Sequence, residues 1–200
     1  RTINSHVSHL DKVILNAGDC EYFSLNKPDW SMMARMMDVN FLGSIRTLEV
    51  ALPLLRNKPK TSSSNRKNRI NNAHIIGISS LAIKAPFPRA EAYGSSKAAM
   101  QYFLNSLSLD LSSEHIDVTT VLPGFVKTPL TERNDFNMPF LLDSQEAATR
   151  IINGVSKHPR TFAFPKRLSY MLKLSQWFPH LWQKMVTTKT ADTQTTRIES

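Results

Sequence analysis

The sequence predicts an α/β fold, a doubly wound parallel sheet in a three-layer α/β/α arrangement. Three observations carry that expectation. Short, almost wholly apolar runs at Lys12–Asn16, Ala73–Ile78 and Ile116–Leu122 have the composition of parallel strands covered on both faces. Long helical patterns separate them, giving connections long enough for crossovers. Each run is followed by polar or turn residues, Asn16, Ser80 and Pro123-Gly124, at the carboxyl ends where such sheets bind ligands.

Taken in order, residues up to Leu10 read as the tail of a helix, and the first strand stops at Ala17-Gly18. From Asp29 to Leu55, Met33, Met36, Met37, Phe41, Ile45, Leu48, Leu52 and Leu55 recur at spacings of one helix face. The methionines in that helix suit core packing rather than metal binding. A Ser- and Asn-rich basic loop, Asn57 to Asn72, leads into the second strand. The second long helix runs from Tyr93 to Ser113, and the third strand is closed by Pro123-Gly124. Pro129 to Leu142 has the length of a flap and carries Leu130, Phe136, Met138, Phe140, Leu141 and Leu142. Asp143 with Glu146 three residues on offers a capping box for a helix ending near Lys157. Thr161 to Pro165 is the expected last strand, Leu168 to Met185 a basic, aromatic helical segment interrupted by Pro179, and the Thr-rich end is expected to be disordered. The expected division is one domain over 1–165, a helical extension over 166–186 and a tail over 187–200.

Composition narrows the function classes. The single Cys20 excludes an internal disulfide, and the chain opens Arg1-Thr2-Ile3-Asn4 without an apolar leader segment, so a reducing, cytoplasmic setting is expected. No run approaches the ~20 apolar residues of a membrane span. Of the net charge of +9, six units lie between Arg56 and Arg69, which leaves three for the rest of the chain. That loop has no aromatic to stack a base, so a solvated insertion is favoured over a nucleic-acid surface. His6 and His9 are three apart but have no third ligand, so no metal is expected.

The chemistry concentrates between Ser80 and Lys97. A Tyr hydroxyl titrates near ~10, so proton exchange at neutral pH asks for roughly three units of depression, about 4 kcal/mol. Lys97 lies four residues after Tyr93, on the same helix face, where an ammonium could supply it. Ser80 could donate a hydrogen bond to a carbonyl oxygen as charge develops there. With 4 Tyr and 13 Lys in the chain, chance alone predicts about a quarter of a Tyr-x-x-x-Lys match, so context has to decide.

That context resembles the classical short-chain dehydrogenase/reductase family, with its Rossmann-like fold. Asn16-Ala17-Gly18 is similar to the family's Asn-Ala-Gly signature, which implies a sheet-steadying role beside the cofactor's adenosine. Asp38-Val39-Asn40 resembles the segment bearing the catalytic asparagine, on a bent helix that holds the water of a proton relay. Ser80 precedes Tyr93 by 13 residues, the family spacing for the catalytic serine, which favours Ser80 over Ser79. Tyr93 and Lys97 match the acid/base pair, with Lys97 also expected on the nicotinamide ribose. Pro123-Gly124-Phe125-Val126-Lys127-Thr128 resembles the Pro-Gly segment, which places Pro123, Gly124, Val126 and Thr128 beside the cofactor, Thr128 at the carboxamide.

The resemblance runs from about Asp11 to about Phe164 and implies NAD or NADP, without choosing between them. It also implies hydride exchange with a carbonyl or secondary alcohol, and a homo-oligomer. The apolar flap adds the expectation of a hydrophobic substrate. Three features depart from the family pattern. No two of the six glycines, Gly18, Gly43, Gly77, Gly94, Gly124 and Gly154, lie close enough to form the turn that cradles a pyrophosphate. The chain therefore reads as lacking the family's first β-α units, on the order of 60 residues. Leu15-Asn16 stands where paired asparagines are usual, and the basic loop is an insertion. Two alternatives follow: a catalytically incompetent module that dimerises through the Asp29 and Tyr93 helices, and membrane-surface contact by 168–185. For that last segment a tail packed on the domain or on a partner subunit is favoured.

Overall fold

A computed structural model describes residues 7–59 and 71–195, with side chains to Thr187. Residues 60–70 of the basic loop lie outside the described residues. Four strands form one parallel sheet in the order β1-β2-β3-β4: β1 Lys12–Leu15, β2 Ala73–Ile78, β3 Ile116–Pro123 and β4 Thr161–Phe164. Between and after them come α1 Ser31–Met37, α2 Gly43–Arg56, α3 Glu91–Asp110, α4 Ser144–Val155, α5 Lys166–Ser175 and α6 Pro179–Thr195.

The alternation of side chains along a strand explains the layers. Ile75 and Val118 point to one face, where Leu48 and Leu55 of α2 and Met100 and Leu104 of α3 close a core. Ile76 and Val121 point to the other, against Ala147 and Val155 of α4. Gly77 lets α3 approach β2, since a Cβ there would lie 2.2 Å from Leu104 Cδ1.

The helix expected from Asp29 to Leu55 is one continuous rod with a widened turn. Between α1 and α2, residues Asp38–Leu42 form a π-helical turn, which carries Asn40 inward to 1% exposure. Met32 and Met36 pack in the core with Phe23 and Ala92. The α4 cap is half of the expected box: Asp143 accepts from the Gln145 amide at 2.8 Å, while Glu146 pairs with Arg150 at 2.7 Å instead of reaching back.

Three expectations need correction. β1 is not covered on both faces: it is the edge strand, and Ile14 is 61% exposed, because no described helix packs on that side of it. Val7–Leu10 is irregular rather than helical, the Leu10 amide being donated to the Leu54 carbonyl at 3.1 Å. Past 187 the backbone continues as α6 to Thr195, and residues 196–200 of the expected tail lie outside the described residues.

Candidate active site

The carboxyl ends of β1 and β2, the π turn and the first turns of α3 meet at one edge of the sheet. Gly18 marks the meeting point: a Cβ added to it would lie 2.9 Å from Lys97 Nζ and 3.0 Å from Asn40 Oδ1. Only a backbone without a side chain passes that close over an ammonium and an amide.

Asn40 is locked by three bonds. Its Oδ1 accepts from the Asp19 amide at 2.8 Å, and its Nδ2 donates to the Asp19 carbonyl at 2.9 Å and to Ser96 Oγ at 2.8 Å. Ser96 in turn donates to the Tyr93 carbonyl at 2.8 Å, tying the π turn to the helix that bears the phenol. Lys97 is 5% exposed and donates to the Ile78 carbonyl at 3.0 Å, at the end of β2. That contact anchors its ammonium at the strand end.

The two adjacent serines are used differently. Ser79 is buried and donates to the Lys97 carbonyl at 2.9 Å, a bond that seals β2 to α3. Ser80 is half-buried; its hydroxyl accepts the Ala82 amide at 3.1 Å and also hydrogen-bonds the half-buried Tyr93. Of the pair, Ser80 is therefore the one on the Tyr93 side.

Electrostatics differ from the sequence expectation. Burial pushes the Tyr93 hydroxyl up to about 12, with the Ser80 hydrogen bond opposing and Cys20 adding to the rise. Burial also pulls Lys97 down to about 8. Desolvation of the phenol therefore outweighs the depression expected from Lys97, whose ammonium donates to the Ile78 carbonyl.

The other expected residues lie around this cluster without hydrogen bonds to it among the described residues. Asn16 and Ala17 are exposed at the end of β1. Pro123 ends β3, and Gly124 donates to the Phe164 carbonyl at 2.8 Å, turning the chain closely past Leu168 and Pro165. Val126 bridges Leu142, and the Thr128 amide donates to Thr131 Oγ1 at 2.9 Å. The flap is partly spent on packing: Phe136 stacks edge-on against Tyr22 and Phe125, and Tyr22 donates to Asn134 at 2.5 Å. Arg89 lies over the Tyr22 ring and pairs with Asp135 at 2.9 Å.

Sequence reasoning missed Asp19 and Ser96. Ser96 was within reach, since it follows Tyr93 by three and shares its helix face. Asp19 carries no such signal, because it acts through its backbone.

The arrangement can hold an oxygen at Ser80 and pass a proton at Tyr93. The sequence pattern described as short chain dehydrogenase matches residues 1–138. A protein of Myxococcus xanthus (strain DK1622) described as an uncharacterized oxidoreductase is 29% identical over 90% of this chain, which spans 66% of that protein's length. Among solved structures, a short chain dehydrogenase from Burkholderia cenocepacia J2315 in complex with NADP shares the fold at a TM-score of 0.75 and 18% identity, over 92% of this chain and 72% of that one. A short chain dehydrogenase from Mycobacterium paratuberculosis bound to NAD does so at 0.63 and 19%, over 81% of this chain and 65% of that one.

Proposed function

The chain belongs to the short-chain dehydrogenase family, and from that premise we propose that it serves an NAD(P)-dependent oxidoreductase acting between a carbonyl and its secondary alcohol, with Tyr93 carrying the proton. The observation that supports this most is that Lys97 of α3 and Asn40 of the π turn meet at the bare backbone of Gly18, with Ser80 beside Tyr93 one helical turn before Lys97.

The residues fit the nicotinamide half of such a cofactor. Gly18 leaves open a cradle that a Cβ would fill, beside an ammonium with donors to spare. Lys97 and Thr128 would hold the ribose and carboxamide, and Pro123, Gly124 and Val126 would form the wall. A bound nicotinamide dinucleotide supplies or accepts the hydride. Ser80 holds the substrate oxygen, and Tyr93 gives or takes its proton. With burial holding its hydroxyl at about 12, Tyr93 is protonated at neutral pH, and giving that proton to a substrate oxygen requires its pKa to fall when cofactor and substrate bind. Asn40, held from both sides of Asp19, keeps the π turn fixed against α3. The substrate is a small molecule, and Phe136, Phe140 and Leu141, each more than two-fifths exposed on the flap, favour a hydrophobic one. Assembly as a homo-oligomer belongs to the same reading.

NADH and NADPH deuterated at the dihydronicotinamide C4, on either face, test it. With a long-chain ketone and a small polar ketone as probes, deuterium should appear at the carbonyl carbon, faster for the long chain. No transfer to either overturns the reading. A second reading, a non-catalytic module, is favoured by the open face of β1 at Ile14. Titration of NADPH and NADH fluorescence separates the two: binding supports the enzyme, and none supports the module.

A further inference from the structure

The two C-terminal helices carry two apolar sets, and only one is used. Leu168, Leu172 and Trp182 are buried against Leu81, Ala85 and Leu122. Trp182 Nε1 donates to the Pro86 carbonyl at 2.7 Å, Gln176 Nε2 to the Lys84 carbonyl at 2.6 Å, and Lys84 Nζ to Ser169 Oγ at 3.0 Å. The helices are thus fixed on the domain, as the sequence favours. A second apolar set is exposed: Tyr170 and Leu174 on α5, Trp177 and Phe178 in the turn between the helices, and Leu181 and Met185 on α6, with Trp177 76% exposed.

The charge around that set has one sign. Lys166, Arg167, Lys173 and Lys184 are exposed, and no Asp or Glu occurs between Phe164 and Asp192. A second copy of this face would set these cations against their own kind. An anionic lipid surface offers phosphates to the cations and an acyl boundary to Trp177, Phe178 and Leu181. No helix among the described residues is long and apolar enough to cross a membrane, which fits helices lying on a surface. We propose that the exposed face of α5 and α6 docks the protein on anionic phospholipid membranes. This inference is independent of the catalytic reading.

Co-sedimentation with phosphatidylcholine vesicles, with and without phosphatidylglycerol, tests it on the full chain. The chain should pellet with the anionic vesicles at low salt and be released as salt is raised. The combined Trp177→Ser, Phe178→Ser and Leu181→Ser variant should lose binding at least about tenfold, as should the combined Arg167→Glu and Lys173→Glu variant. Both should keep the wild-type unfolding midpoint, since none of these side chains is buried. Equal binding to neutral vesicles, or variants that bind like the wild type, overturns the proposal. So does lipid-independent self-association that the Ser variant abolishes, which would assign the face to a second copy.

Discussion

Polar side chains are buried in clusters at both ends of the sheet, and the two clusters are built differently. At the amino end, His74 and His158 stack at 3.8 Å, and His158 Nδ1 lies 2.9 Å from Asp117 Oδ2, which also accepts from Asn72 at 3.0 Å. Thr119 donates to the Pro159 carbonyl at 2.5 Å, so its oxygen accepts from His74 Nε2 at 2.8 Å. This cluster is closed: its members join β2, β3 and the turn before β4 to one another. At the carboxyl end Asn40 is equally locked, but Tyr93 and Ser80 are only half-buried, and Lys97 gives one bond to a carbonyl with further donors in hand. Burial of polar groups is common to both, so burial does not mark function. The difference lies in which donors and hydroxyls remain able to meet a substrate.

Breaking the closed cluster should give the largest effect on stability. Asp117→Ala removes the carboxylate shared by His158 and Asn72 and is expected to cost about 3 kcal/mol, read from urea midpoints, with turnover per folded molecule unchanged. A variant as stable as the wild type would show that the amino end is not braced as described.

The open cluster should show itself through pH. Folded Lys97 titrates near 8 and unfolded lysine near ~10.4, so the unfolded chain holds the extra proton between these values. Stability from this group therefore rises with pH from about 8, by at most about 3 kcal/mol, and is missing below it. Above pH ~10 the raised Tyr93 works in the opposite direction, so the slope is best measured between 8 and 10. Lys84, also lowered, adds to this rise and the raised Cys20 opposes it, so Lys97→Met should reduce the slope; an undiminished slope would mean another group is responsible. The smallest effect is expected at β1, where Ile14→Thr should move the midpoint by less than about 0.5 kcal/mol. A larger loss would mean that Gly18 depends on a covered β1 to reach the site.

Legibility in the sequence followed locality. β2 and β3 could be read because strands buried on both faces become apolar runs, and Tyr93 with Lys97 because helix register is local. The bounds of β2 were legible to the residue. The open face of β1 was not, because an apolar run is the same whether or not a neighbour covers it. Nor was the bracing of Asn40 by Asp19, 21 residues away, or the stacking of His74 on His158, since both depend on how distant segments dock. The rise of the Tyr93 hydroxyl was not legible for a related reason: spacing places Lys97 on the right face, but the burial that raises the phenol depends on how distant segments dock.

The central claim is that Tyr93 carries the reaction's proton while other contacts carry the fold. Turnover of Tyr93→Phe, measured beside its nucleotide affinity and unfolding midpoint, tests this most directly. The account predicts a fall in turnover of about 100- to 10,000-fold, with affinity and midpoint nearly unchanged. Turnover equal to that of the wild type would contradict it.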